Sequence, residues 1–98
     1  MPPPRRDNAV PLRSLLGPST QLAQASGIAL DLIHDEMVIA NASSNAITTF
    51  SRTADGNATP LRVIQGVNTG LTFVNGVALD LVNDEIVATS QSSSAVTV

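Results

Sequence analysis

Apolar side chains recur at every second position in several short stretches of the chain. In one stretch, Ile28, Leu30 and Leu32 alternate with Ala29 and Asp31. A period of two predicts a β-strand whose bulkier side chains lie on one face. Because both faces of this strand are largely apolar, we expect a sheet that neighbouring sheets cover on both sides, bulky face against smaller face.

The same pattern predicts a meander of four strands, named a to d. β-branched residues dominate its apolar positions, and turn formers such as Gly, Asn and Pro separate the stretches. The strands are predicted at 76–82 (a), 85–90 (b), 95–98 (c) and 61–65 (d), with earlier copies of c and d at 46–50 and 12–16. The predicted fold class is therefore all-β.

The chain repeats itself with a period of 49 residues. Residues 27–49 match residues 76–98 at 12 of 23 positions without a gap. The 98 residues therefore divide into two periods, 1–49 and 50–98. A period of this size is typical of propellers, solenoids and repeat arrays.

Three motifs in the first period resemble a blade of the NHL-type β-propeller family. They are Gly-Ile-Ala-Leu-Asp at 27–31, Asp-Glu-Met-Val-Ile-Ala-Asn at 35–41 and Asn-Ala-Ile-Thr-Thr-Phe at 45–50. The resemblance implies four-stranded blades around a channel, with strand a innermost, strand d outermost and ligands over the channel mouth. The chain departs from complete NHL propellers because two blades cannot close a ring, which usually needs at least four.

We expect the ring to close between chains. Strand 12–16 precedes the first full blade, and the last blade lacks its strand d, so residues 1–98 read as a two-blade module. Adding strand d of one subunit to strand c of the next would give six blades in a homotrimer, which we favour, or eight in a tetramer. A two-layer sandwich and a fragment of a longer array are the alternatives. The predicted joint consists of Leu12, Arg13, Leu15, Leu16, Ala95, Val96, Thr97 and Val98.

Composition excludes several classes of protein. The chain has no cysteine, so it has neither a disulfide framework nor a cysteine metal site. Its net charge of −3 argues against nucleic-acid binding. No apolar stretch is long enough to span a membrane. No signal peptide is predicted, because no apolar segment follows Arg5 and Arg6, and the cytoplasm is the default expectation.

We expect one rim of the ring to be acidic and the other to carry no charge. The a–b turns hold six of the eight acidic residues. The loops at the other end carry no charge and offer hydroxyl and amide groups. They predict a surface for a neutral polar ligand, such as a peptide, a glycan or a protein loop, or else they only form turns. The candidate residues on this uncharged rim are Asn41, Ser43, Asn45, Asn68, Thr69, Phe73, Ser90, Ser92 and Ser94.

Catalytic chemistry has little support. Asp31 and Asp80 recur at one repeat position and could present a ring of carboxylates to Ca²⁺ or Mg²⁺, although an Asp there more often accepts hydrogen bonds from its turn. His34 is the single histidine. We therefore predict a non-enzymatic binding or scaffold module without a cofactor. The alternatives are a metal-dependent hydrolase or lyase of the lactonase kind and a purely structural ring.

Overall fold

The chain forms two antiparallel β-sheets, which confirms the all-β prediction. The computed structural model describes residues 10–90 and 95–97. The first sheet has the order β1-β2-β3-β4 and the second the order β5-β6-β7. Two single-turn 3₁₀ helices, Pro18–Thr20 and Val67–Thr69, precede β1 and β5. The strands are Ala25–Asp31 (β1), Glu36–Asn41 (β2), Ala46–Ser51 (β3), Arg62–Ile64 (β4), Val74–Asp80 (β5), Glu85–Ser90 (β6) and Ala95–Thr97 (β7).

The hairpin turns of the two sheets are built alike. In each, an Asp at the strand end accepts hydrogen bonds on Oδ1 from the backbone amides two and three residues further on. The distances are 3.0 and 2.9 Å for Asp31 and 3.1 and 3.2 Å for Asp80. Asp35 and Asp84, with φ of 59° and 56°, then take the left-handed conformation that Asp tolerates. The 49-residue repeat therefore extends to the hydrogen bonds of the turns.

The repeat also governs the segments that lead into β1 and β5. Gly17 and Gly66 have nearly the same backbone conformation, with φ of 116° and 126°. Three residues later, the hydroxyls of Thr20 and Thr69 each donate to the glycine carbonyl at 2.6 Å. These φ values are disfavoured for L-residues, which explains why both periods have glycine there.

The core lies between the two sheets, where a face with bulky side chains packs against a face with smaller ones. The bulkier face of the second sheet carries Val77, Leu79 and Ile86, and it packs against the smaller face of the first sheet, which includes Val38 and Ala40. The bulky-against-small packing expected from the alternation pattern is therefore present at this joint. The buried members of the cluster are Val38, Ala40, Ile47, Leu71, Val74 and Ala88.

The sequence predicted a strand at 12–16, and this prediction is wrong for the single chain, where the segment forms no strand. The segment makes a single parallel bridge, in which Leu16 donates its amide to the Gly56 carbonyl at 3.1 Å and the Gly56 amide donates to Ser14 at 2.7 Å. The reason is topological. The edge of β3 is already occupied by β4, and β7 lies in the other sheet. Among the described residues, β7 has a single neighbour, β6.

No helix within the described ranges, 10–90 and 95–97, has the length and apolar character needed to cross a membrane.

Candidate functional site

The uncharged rim forms a recess where the β2–β3 turn meets the β4–β5 connection. The Phe73 amide donates to Asn45 Oδ1 at 2.5 Å, and Gln65 Nε2 donates to the Ser44 carbonyl at 3.1 Å. These bonds join the two connections around a volume of about 390 Å³. None of the described residues that line it is ionisable. The lining residues are Ser44, Asn45, Gln65, Gly66, Gly70, Leu71 and Thr72.

The predicted rim residues are only partly brought together. Asn45 lines the recess, whereas Asn68 and Thr69 line a neighbouring one of about 430 Å³. Phe73 is 38% exposed. The exposed Ser43 donates its hydroxyl to Gln24 Oε1 at 2.6 Å, outside both linings. The predictions for Ser92 and Ser94 fall outside the described residues.

Two predicted rim residues serve the fold instead. Asn41 is buried, accepts the Ala23 amide on Oδ1 at 3.1 Å and donates through Nδ2 to Thr48 Oγ1 at 3.0 Å. Ser90, its counterpart one period later, is also buried and accepts the Thr72 amide at 3.2 Å. Both side chains tie the segment before strand a to strand b, so their polar groups are engaged inside the fold.

Ser44 is a rim residue that the sequence did not single out. Its hydroxyl oxygen is buried and lacks a hydrogen-bond partner among the described residues. It belongs to the lining of the recess, where a ligand group could satisfy it. The sequence contains no signal that separates Ser44 from Ser43, because only the tertiary fold decides which hydroxyl is covered.

The acidic rim forms a second cavity, of about 280 Å³, between the two sheets. Arg62 of β4 donates to Glu36 across β3. Arg52, directly after β3, donates to Asp35 in the β1–β2 turn. The ionisable residues lining the cavity are Asp31, His34, Glu36, Arg62, Asp80, Asp84 and Glu85.

His34 and Asp31 form a polar pair at this rim, with Nδ1 and Oδ2 2.7 Å apart. The Asp31 hydrogen bond, followed by its negative charge, raises the pKa of His34, and Asp84 of the second sheet adds to the effect. The pKa of Asp31 is lowered, chiefly by the hydrogen bond from the His34 amide. In the second period, Asn83 Nδ2 donates to Asp80 Oδ2 at 2.8 Å and lowers the pKa of Asp80.

The His34–Asp31 pair is expected to make stability depend on pH. A raised folded-state pKa means that the His34 contribution is complete below the ordinary value of 6.5 and is lost as pH rises through the folded-state pKa. Because the chain has one histidine, NMR titration of its imidazole reads this pKa directly. The His34→Asn variant copies the second period and should remove the pH dependence above 6.5 that His34 contributes. A titration midpoint at or below 6.5 would contradict the pairing.

Asp31 and Asp80 act as turn acceptors. Each uses Oδ1 to hold its own turn. Within residues 10–90 and 95–97, no group of three or more His, Cys, Asp or Glu side chains is arranged to hold a metal ion. A ring of these carboxylates would form only where several copies of the chain assemble.

The predicted joint residues lie at opposite ends of the two-sheet stack. Leu12 and Leu16 are 89% and 63% exposed. Leu12, Arg13 and Leu15 line a recess of about 480 Å³ on the outer face of the first sheet. At the other end, Ala95, Val96 and Thr97 form β7, and Val98 falls outside the described residues.

Comparisons with protein-family models, with curated proteins and with solved structures found no match to this chain. Its function is therefore inferred from its geometry and its internal repeat.

Proposed function

We propose that the chain is a non-enzymatic scaffold and binding module that assembles head to tail into a closed β-propeller ring. The observation that carries this proposal is the difference between the two sheets. Within residues 10–90 and 95–97, the first has four strands and the second has three. Residues 12–16 repeat the positions of the fourth strand 49 residues earlier, yet they form no strand.

A second copy of the chain can supply the fourth strand of the second sheet. Among the described residues β7 pairs with β6 alone, and the backbone amide and carbonyl groups of its other edge favour the addition of another strand. Residues 12–16 of a neighbouring subunit have the repeat position suited to this role. Because the donor segment and the acceptor edge lie on different parts of the surface, the contact is heterologous and closes a ring when the rotation allows. Three subunits give six blades.

The uncharged recess is the proposed binding surface of the assembled ring. Its backbone groups, its amides and the unpartnered Ser44 hydroxyl suit a ligand that exchanges hydrogen bonds without net charge. A peptide or a protein loop fits this chemistry better than a glycan, since sugar recognition favours aromatic platforms and Phe73 is the single aromatic side chain near the recess. The acidic rim would then lie away from the ligand.

The mass in solution is expected to be about 30 kDa, which corresponds to three chains of 10.1 kDa. Native mass spectrometry at micromolar concentration measures it directly. A mass of four chains keeps the joint and changes the ring to eight blades. A folded, monodisperse monomer would overturn the proposal.

Removal of residues 1–16 is the matched control for this measurement. It deletes the donor segment and leaves every residue of both sheets in place. We expect the truncated chain to lose the ring, because each β7 edge would then lack its added strand. An unchanged ring would show that another contact holds the subunits together.

A further inference from the structure

We infer that the exposed bulky face of the first sheet binds the open small face of the second sheet of another copy, with Arg13 of one copy paired to Glu85 of the other. This inference rests on the proposed ring and specifies its joint. The occupant is a second copy because the same two kinds of face already bind each other inside the chain.

The internal joint shows what the bulky face does when it is covered. Val77 and Leu79 of the second sheet pack against the core cluster and are partly buried. Their counterparts one period earlier, Ile28 and Leu30, are 60% and 52% exposed. Exposed side chains of this size in one patch mark an interaction surface. The bulky face of the first sheet therefore lacks a covering partner over β1, whereas Ile39 and Phe50 on the same face are buried.

The second sheet has the complementary face. In the first sheet, Val38 and Ala40 form the surface that receives the bulky side chains, and both are buried. One period later, Val87 and Thr89 occupy these positions on the open side of β6, and Thr89 is exposed. Because the two open faces lie at opposite ends of the stack, a second copy can bring them together and repeat the internal packing.

Charge supports the same pairing. Inside the first sheet, Arg62 of β4 reaches across β3 to Glu36 of β2. The residue 49 positions before Arg62 is Arg13, and the residue 49 positions after Glu36 is Glu85. Among the described residues, neither forms an ion pair. When residues 12–16 add to β7 of another copy, Arg13 and Glu85 take the positions of the internal pair.

The internal pairing also sets the register of the added strand. β3 and β4 pair Ile47 with Ile64 and Thr48 with Val63. The equivalent pairs between copies are Val96 with Leu15 and Thr97 with Ser14. Residues directly opposite in antiparallel strands have Cα atoms about 4.5–5.5 Å apart, which lies within the range of about 4.4–6.8 Å that a disulfide spans.

Disulfide cross-linking tests this register, and the chain has no cysteine of its own to interfere. The double variant Ser14→Cys/Thr97→Cys, oxidised under mild conditions, is expected to give covalent multimers up to the full ring on a non-reducing denaturing gel. The control Ser14→Cys/Val96→Cys shifts one cysteine by a residue, onto the other face of β7, and keeps the Arg13–Glu85 pair. We expect its cross-linked fraction to be about tenfold lower.

Charge reversal tests the ion pair separately. Arg13→Glu and Glu85→Arg should each raise the concentration at which half of the ring dissociates by about fivefold. The double variant should restore the original value. Reversing the internal pair with Glu36→Arg/Arg62→Glu serves as the control and should leave the mass unchanged.

The outcomes separate this inference from the proposed ring. A ring that cross-links equally in both registers overturns the joint described here and leaves the ring intact. In-register cross-linking without rescue by the double reversal removes the Arg13–Glu85 pair from the joint. A monomer under all conditions overturns both the joint and the ring.

Discussion

The Val74→Asp variant is expected to lose several kcal/mol of its free energy of unfolding. Val74 is 0% exposed and belongs to the core cluster between the two sheets. A carboxylate placed there loses its hydration, which costs several kcal/mol. Small domains have a free energy of unfolding of about 5–15 kcal/mol, so this single charge removes a large share of it. Circular dichroism and urea titration measure the loss.

A matched control places the same charge on the surface. Val82 is 94% exposed in the β5–β6 turn, so the Val82→Asp variant removes a similar apolar side chain without burying the carboxylate. We expect the free energy of unfolding to change by less than about 1 kcal/mol. If Val74→Asp were tolerated as well as Val82→Asp, the two sheets would not share the core cluster that contains Val74.

The Phe50→Ala variant is expected to lower the free energy of unfolding by about 3–5 kcal/mol. Phe50 is fully buried on β3, opposite Met37 of β2. Its removal withdraws a large apolar surface from the fold and leaves a cavity that the surrounding strands fill only in part. Urea titration of the variant against the natural chain gives the difference.

The other phenylalanine is the natural comparison, since the chain has two. Phe73 is 38% exposed and lies in the β4–β5 connection. We expect Phe73→Ala to lower the free energy of unfolding by about 1 kcal/mol or less, because the site is open to water. Equal losses from the two substitutions would show that burial of Phe50 does not stabilise the fold as described.

Most strands could be predicted from the alternation of side chains. The first-period c strand, predicted at 46–50, is observed as Ala46–Ser51, and the b strand predicted at 85–90 is observed as Glu85–Ser90. Hairpin strands are local structures, and their turn residues lie next to them in sequence. Local interactions therefore determine these strands, and equivalent strands form in both 49-residue repeats.

For residues 12–16, the local sequence does not decide whether a strand forms. Their sequence repeats that of β4 and its flanks, but a strand also needs a partner edge. β3 already has β4 as its neighbour, so this segment makes one bridge to Gly56. Pairing is a property of the whole arrangement, and sequence similarity between two segments does not guarantee that both find an edge.

In the candidate site, too, one property could be predicted from the sequence and another depends on the tertiary packing. The absence of charge from one rim could be predicted from the positions of the ionisable residues. The roles of individual polar side chains could not, because Asn41 and Ser90 are buried within the fold while the Ser44 hydroxyl lines the recess. An Asn or Ser in a turn is compatible with both roles, and only the surrounding packing selects one.

The sequence by itself determined the all-β class, most of the strand positions and the segregation of acidic residues, because these follow from side-chain period and turn chemistry within each 49-residue unit. The tertiary structure decided which faces are covered. Ile28 and Val77 occupy the same position in their repeats, yet only Val77 has another sheet packed against it. Coverage depends on neighbours in space, which a repeated sequence does not specify.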